Sequence, residues 1–230
     1  MKKQLNYAII PAYNEEKTIA EVINKVKKAD IVPVVVDDNS KDRTIEIAKK
    51  NGAIVLKRIT KRGKGEAIKA GIEYVLKHKN NAKNFVFVDA DMQYDPGEAV
   101  SLIKTLENKK ADLVIGFRDW SGVPFRHKLG NFVWRNTFNI LFGVNLKDTN
   151  CGFMCVTKDA AETIKEVLHG GYIIENTILA HAIKNNLKIE QVPVKVTYKY
   201  KSGISRGIRM VGGVLLFIIK EGLKYRFGRK

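Results

Sequence analysis

The chain has 230 residues, a formal net charge of +17 and two cysteines. That length suits one domain that buries its own core without disulfides or structural metals. A content of 45% apolar and 28% charged residues excludes a disordered chain. Cys151 and Cys155 are too few for a disulfide framework, which points to a reducing compartment. The N-terminus shows no signal-peptide core or cleavage site. The longest apolar stretch, Met210 to Ile219, contains Gly212 and Gly213 and is ten residues long. A membrane-spanning helix needs about 18. The charge is uneven: net +6 over residues 1–115 and +11 over residues 116–230. The second half therefore calls for an anionic partner, with nucleic acid, a membrane surface or a phosphorylated ligand all open.

The first half alternates strand and helix patterns. Leu5–Ile10 is a short apolar run stopped by Pro11. Residues 15–29 carry Ile19, Val22, Ile23 and Val26 at helical spacing, with Asn14 as candidate N-cap. A β-branched strand, Ile31–Val36, ends in Asp37-Asp38-Asn39-Ser40. Asp42–Asn51 reads as a helix stopped by Gly52 and capped by Asn39 or Ser40. Then follow strand Ala53–Leu56, helix Gly65–His78, strand Asn84–Val88, helix Pro96–Asn108 and strand Leu113–Gly116. Residues 126–143 form an apolar, aromatic helix candidate. Phe153–Val156 reads as a strand, Asp159–Leu168 and Glu175–Asn186 as helices, Ile189–Tyr198 as one or two strands, and 205–222 as a terminal helix. This order predicts an α/β fold: a mainly parallel sheet flanked by helices, with ligands beyond the carboxyl ends of the strands.

The polar clusters fall at those ends. Phe85-Val86-Phe87-Val88-Asp89-Ala90-Asp91-Met92-Gln93 delivers two carboxylates spaced i and i+2. In extended backbone they share a face. Hard cations such as Mg²⁺ or Mn²⁺ take carboxylate oxygens and bridge to substrate phosphates. The same residues also suit turn-forming aspartates ahead of the Pro96 helix. A carboxylate at Asp37 or Asp38 can accept hydrogen bonds from a base or ribose, and can equally cap a helix. The four histidines and the two cysteines show no metal-ligand spacing.

Four motifs appear in order: Pro11-Ala12-Tyr13-Asn14-Glu15, Val36-Asp37-Asp38-Asn39-Ser40-Lys41-Asp42-Arg43-Thr44, Gly63-Lys64-Gly65 and Asp89-Ala90-Asp91-Met92-Gln93. Together they resemble glycosyltransferase family 2, with the GT-A fold. Within it the chain looks most like the dolichyl-phosphate (polyprenyl-phosphate) mannose synthase and hexosyltransferase group. The resemblance implies a nucleotide-binding set of Pro11, Tyr13, Glu15, Asp37, Asp38, Lys64, Asp89 and Ala90. It implies Asp89, Asp91 and Gln93 around Mg²⁺ or Mn²⁺ on the donor diphosphate. Val114-Ile115-Gly116-Phe117-Arg118 resembles the group's strand ending in arginine. Asp148-Thr149-Asn150-Cys151-Gly152-Phe153 resembles its Asp-x-x-Ser-Gly-Phe segment, with Cys151 where serine is common. Glu175 opens a helix, as an acid does in the family. Gly203-Ile204-Ser205-Arg206 resembles its Gly-x-Ser-Lys segment, with arginine in place of lysine.

The implied acceptor set is Arg118, Arg126, Lys128 and Ser205, and the implied catalytic set Asp91, Arg118, Arg126 and Arg206. A phosphate acceptor is already ionised near pH 7 and needs cations more than a base. No Thr-Glu-Asp-like base motif occurs between 92 and 160, and Asp148 is the nearest substitute. The implied reaction is inverting, metal-dependent transfer of a hexose, mannose foremost, from a GDP- or UDP-sugar to dolichyl or polyprenyl phosphate, in protein glycosylation. Residues 1–116 would form the nucleotide-sugar half and 117–208 the acceptor half of one domain. Residues 209–230 would form a basic amphipathic segment. Apolar residues flanked by bases and aromatics place that tail on the cytoplasmic face of a membrane; segment 125–144 suits either the interface or the core. The alternatives are a soluble family 2 transferase acting on a glycan or protein hydroxyl, and a basic nucleic-acid-binding protein. No nucleic-acid motif occurs, so no nucleic-acid partner is expected.

Overall fold

The computed structural model describes residues 3–59, 63–119, 125–169, 173–197 and 204–228, with the side chains of 125–127 and 204–211 outside that description. The elements run β1 (Leu5–Ala12), α1 (Ile19–Lys28), β2 (Ile31–Asp37), α2 (Thr44–Lys50), β3 (Ile54–Lys57), α3 (Lys64–His78), β4 (Ala82–Phe87), α4 (Ala99–Asn108), β5 (Leu113–Arg118), α5 (Phe125–Phe142), β6 (Met154–Thr157), α6 (Lys158–Ile164), α7 (Ile174–Lys184), β7 (Ile189–Val194) and α8 (Ile204–Phe227). The strands form one sheet in the order β3-β2-β1-β4-β6-β5-β7. Only β6 runs against its neighbours, antiparallel to β4 and to β5. Tyr7, Ala8, Ile9 and Ile10 are all buried. Successive strand side chains point to opposite faces, so β1 is covered on both. The chain leaves β1 for β2 on one side and later returns to β4 on the other. This switch in direction opens a crevice beyond the strand ends, where the loops after β1, β2 and β4 meet.

Three local expectations are corrected. Strand β1 runs through Pro11 to Ala12, with Pro11 opposite Val36. The Ile9 carbonyl accepts from Val88 on the β4 side, and the Ala12 carbonyl accepts from Asp38 on the β2 side. Alternation puts the Pro11 nitrogen on the β4 side, where β1–β4 pairing has already ended at Ile9 and Phe87. Proline therefore removes no ladder bond there. Helix α1 starts at Ile19, not at residue 15, and Asn14 does not cap it. Asn14 sits at φ 56°; its Oδ1 accepts from the Lys41 N–H at 2.8 Å and its own N–H donates to Ser40 Oγ at 2.9 Å. Glu15 N–H donates to Thr44 Oγ1 at 2.8 Å and Glu16 N–H to Asp42 Oδ2 at 3.1 Å. Neither Asn39 nor Ser40 caps α2, whose start makes no side-chain cap bond. These polar residues stitch the loop after β1 to the loop after β2, which fixes one wall of the crevice.

The second half closes with α8 against α5. Gly222 lies so close to Leu141 that an added Cβ would stand 2.6 Å from its Cβ. Helix α8 buries Val214 and Ile218 and exposes Leu216, Ile219 and Leu223. It runs five residues beyond the predicted end at 222. Among the described residues no helix is long and apolar enough to cross a membrane.

Helix α3 approaches the sheet through Gly71. A Cβ there would stand 2.6 Å from Ile9 Cγ2 and 3.1 Å from Val36 Cγ2, both on fully buried side chains. Alanine improves helix propensity by about 1 kcal/mol over glycine. Overpacking costs about 1–3 kcal/mol. We expect Gly71→Ala to be net destabilising in urea denaturation, and Gly71→Val more so.

Candidate active site

The crevice is built from strand ends. Asp37 is fully buried at the end of β2. Its Oδ2 accepts from the Ser40 N–H at 3.0 Å, while its Oδ1 is buried with no hydrogen-bond partner among the described residues. A buried acceptor left unpaired is costly unless a ligand satisfies it. Pro11 is half-buried, Ala12 is buried and Tyr13 is exposed at the same end of the sheet. Glu15 is half-buried, and its carboxylate accepts from Thr18 Oγ1 at 3.1 Å. Asp38 behaves differently from its neighbour. Its Oδ2 accepts from the Gly63 N–H at 2.9 Å and its Oδ1 lies 3.2 Å from Arg58 Nη1. Asp38 thus anchors Gly63, which takes φ 94° immediately before α3.

Lys64, the first residue of α3, reaches across the crevice. Its Nζ lies 2.7 Å from Asp89 Oδ1 and 3.0 Å from Glu175 Oε1. Burial works against the Lys64 charge, but the two carboxylates more than offset it and raise its pKa above an ordinary lysine's. Gly152 closes over this cluster: a Cβ there would stand 2.5 Å from Lys64 Nζ and 3.0 Å from Asp89 Oδ2. A side chain at 152 would force these three charged ends to move. The sequence marked Glu175 as the acid opening a helix but not as a partner of Lys64. Contacts across more than a hundred residues leave no local pattern.

Asp91 does not continue the strand. β4 ends at Phe87 and the following loop turns, with Met92 at φ 60°. The Asp91 Oδ1 accepts from the Gln93 N–H at 2.9 Å. The shared face expected from extended backbone is therefore absent, and a turn brings Asp91 onward instead. Ala90 is buried between the two aspartates. The Gln93 carbonyl accepts from the Thr197 N–H at 2.8 Å, tying this loop to the segment after β7. Among the described residues there is no group of three or more His, Cys, Asp or Glu that could hold a metal ion. Asp89 and Asp91 are instead two hard oxygen donors on one loop. That donor set fits the Mg²⁺ or Mn²⁺ class held by one or two carboxylates together with substrate phosphates, not by a protein cage.

Arg118 ends β5 in a buried ion pair. Its Nε lies 2.6 Å from Asp148 Oδ2 and its Nη2 2.9 Å from Asp148 Oδ1. Asn131 Nδ2 and the Asn150 N–H also donate to Asp148 Oδ1. Burial opposes the Arg118 charge, and Asp148 outweighs it and raises its pKa. The fork expected to hold an acceptor phosphate thus already grips Asp148. Asp148 is fully buried under these bonds, which argues against the part of a substitute base. Burial pushes the neighbouring Cys151 thiol up to about 12, which leaves little nucleophilic thiolate near neutral pH.

Beside this pair lies a cleft of about 670 Å³ lined by Phe117, Arg118, Asp119, Lys128, Arg135, Lys147 and Pro193. Lys147 Nζ stands 4.5 Å from the Phe117 ring centroid. Lys128 was expected here. Arg135 and Lys147 were not, because single bases on a helix and in a loop carry no motif. The Arg126, Ser205 and Arg206 side chains lie outside the described residues; their backbones belong to α5 and α8. Asp148, the partner of Arg118 beside the basic cleft, stands four positions before Gly152 in the Lys64 cluster. Their Cα atoms are therefore within about 14 Å of one another.

The fold matches that of glucosyl-3-phosphoglycerate synthase from Mycobacterium tuberculosis, solved with Mn²⁺, UDP and phosphoglyceric acid. The TM-score is 0.77 at 20% identity, over 95% of this chain and 78% of that one. At that identity the likeness is one of fold, and the fold is the GT-A glycosyltransferase fold. A family model described as Glycosyl transferase family 2 matches residues 7–162. The chain belongs to this family and is a glycosyltransferase. Relatives include the UDP-N-acetylglucosamine–dolichyl-phosphate N-acetylglucosaminyltransferase of Methanococcus voltae, 30% identical over 94% of this chain and 95% of the relative. Another is the polyprenol monophosphomannose synthase of Mycolicibacterium smegmatis, 29% identical over 88% and 81%.

Removing Asp148 takes the two-pronged carboxylate partner from the nearly buried Arg118 guanidinium. Breaking such a pair costs about 3–5 kcal/mol, so Asp148→Ala should melt or denature far earlier than wild type. Both thiols should resist iodoacetamide at pH 8 in the native chain and react once it is unfolded, because burial raises their pKa.

Proposed function

We propose that the chain transfers a sugar, mannose foremost, from a nucleotide-sugar to the phosphate of a dolichyl or polyprenyl lipid, by in-line displacement with inversion. The observation that carries this reading is a cleft lined by four bases against one acid, Asp119, beside a second carboxylate, Asp148, that is held by Arg118. Lys128, Arg135 and Lys147 line the cleft, while Asp148 is buried and paired with Arg118. A phosphate monoester attacks without a strong base and needs cations to offset repulsion from the donor's phosphates. A sugar or protein hydroxyl would need a base positioned within hydrogen-bond reach. The relatives named for dolichyl-phosphate and polyprenol substrates support the same choice.

In this reading Asp37 accepts from the donor base through its unpartnered Oδ1. Pro11, Tyr13 and Glu15 line the nucleoside pocket, and Asp38 sets the position of Gly63 rather than touching the nucleotide. Asp89 and Asp91, with Gln93 behind them, hold the divalent cation, which when bound neutralises the diphosphate leaving group. Arg118 orients the loop beside the acceptor, and Arg126, Ser205 and Arg206 complete the phosphate contacts. The acceptor lipid places the enzyme at a membrane surface. Helices α5 and α8 supply the face: Phe132, Ile140, Leu216 and Phe227 are 56%, 67%, 69% and 73% exposed. Lys128, Lys220, Lys224 and Arg226 lie on the same two helices. Burying each large apolar side chain contributes about 1.5–3 kcal/mol, and each base near an anionic leaflet about 1 kcal/mol.

The decisive assay offers polyprenyl phosphate with GDP-mannose, UDP-glucose and UDP-N-acetylglucosamine in turn, against free glycans as acceptors. We expect a β-linked glycosyl phosphate lipid by NMR; transfer only to glycans, or an α-linked product, would reject the reading. Asp91→Ala should lower turnover by about a hundredfold or more, the scale of removing one electrostatic contact to the developing charge. Flotation with anionic liposomes should be lost in a Phe132→Glu, Leu216→Glu, Phe227→Glu chain, while transfer to a short, water-soluble acceptor is kept. Retained flotation would remove α5 and α8 from the membrane contact.

A further inference from the structure

Lys64 links two sites that a donor would occupy together. Its backbone is placed by Asp38, which holds the Gly63 N–H at 2.9 Å beside the buried Asp37 carboxylate. Its ammonium lies 2.7 Å from Asp89 Oδ1 at the other side of the crevice. Gly152 packs over this cluster, its Cβ position lying 2.5 Å from Nζ and 3.0 Å from Asp89 Oδ2. A divalent cation on the Asp89 carboxylate and an ammonium on the same group would repel each other at close range. With the ammonium on Oδ1, each cation weakens the other's hold on Asp89. Glu175 Oε1, 3.0 Å from Nζ, gives the ammonium a second anchor that does not depend on Asp89.

We propose that Lys64 is a resident counter-ion that keeps Asp89 closed to divalent cations until a nucleoside diphosphate draws the ammonium away. The inference rests on the assignment of Asp89 and Asp91 to a divalent cation made above. Glu175 keeps the Lys64 head within reach of the crevice during the exchange, and the anionic diphosphate replaces Asp89 as its partner. The order of assembly follows: nucleotide first, or nucleotide and cation together, and not cation alone. Lys64 is thus a positioning residue for cation loading. The fixed start of α3 is what couples it to the nucleoside pocket.

The test is a Mn²⁺ titration of the full chain followed by water-proton relaxation, without nucleotide and with UDP or GDP. Wild type should bind Mn²⁺ at least about tenfold more tightly with the matching nucleotide, within the usual range of coupling between sites. Without nucleotide, Lys64→Gln should bind Mn²⁺ about tenfold more tightly than wild type, and Lys64→Arg, which keeps a cation on Asp89, should not. The nucleotide effect should shrink in Lys64→Gln. Circular-dichroism melts check that both variants fold, and the wild-type titrations stand without them. Equal Mn²⁺ affinity of wild type with and without nucleotide, or of folded Lys64→Gln and wild type in its absence, would overturn the proposal. No Mn²⁺ binding by wild type even with nucleotide would overturn the cation assignment itself and this inference with it.

Discussion

The segment from Asp148 to Gly152 joins the two chemical regions of this protein, and both depend on where it lies. At one end Asp148 grips Arg118 through two hydrogen bonds and also accepts from Asn131 and the Asn150 N–H. At the other end Gly152 packs against the charged ends of Lys64, Asp89 and Glu175. A buried ion pair adds little net stability, because desolvating both charges offsets their attraction. What it provides here is position. The pair holds β5 to the loop that precedes β6, and β6 then enters the sheet between β4 and β5 as the antiparallel strand. The basic cleft and the carboxylate cluster are therefore parts of one construction.

The nucleoside side depends on a different device. The loops after β1 and β2 are joined by hydrogen bonds from Asn14, Glu15 and Glu16 to Ser40, Thr44 and Asp42. Left-handed backbone at Asn14 and Asn39 lets both loops turn tightly enough to meet. The result is a rigid wall with one buried acceptor, Asp37 Oδ1, left unpaired. Neighbouring aspartates thus differ: Asp37 keeps one buried oxygen without a partner among the described residues, and Asp38 holds Gly63.

Much of this was legible from residues alone. Alternating apolar runs gave the α/β order, with element ends shifted by at most five residues. The strand-end motifs located the crevice and the family. Local caps were less legible. Asn14 precedes an acidic turn and looks like an N-cap, but its side chain serves the neighbouring loop. Pro11 looks like a strand stop, but the partner strand that would need its N–H has already ended. Asp89 and Asp91 share a face only in extended backbone, and the chain turns before Asp91. Arg118 looks like a phosphate ligand by motif, and its guanidinium is gripped by Asp148.

By itself the chain of +17 charge and ordered motifs determined the fold class, the family and the surplus of bases in its second half. These are properties of composition and of spacing along the chain, which periodicity and local turn chemistry express directly. The tertiary structure decided how that charge divides. It assigned Lys64 to Asp89 and Glu175, Arg118 to Asp148, and Lys128, Arg135 and Lys147 to one cleft. It also split α8 into a face on the core and a face outside it. Such choices arise from contacts between residues far apart in sequence, where pairing energy depends on burial and distance and no local pattern records the partner.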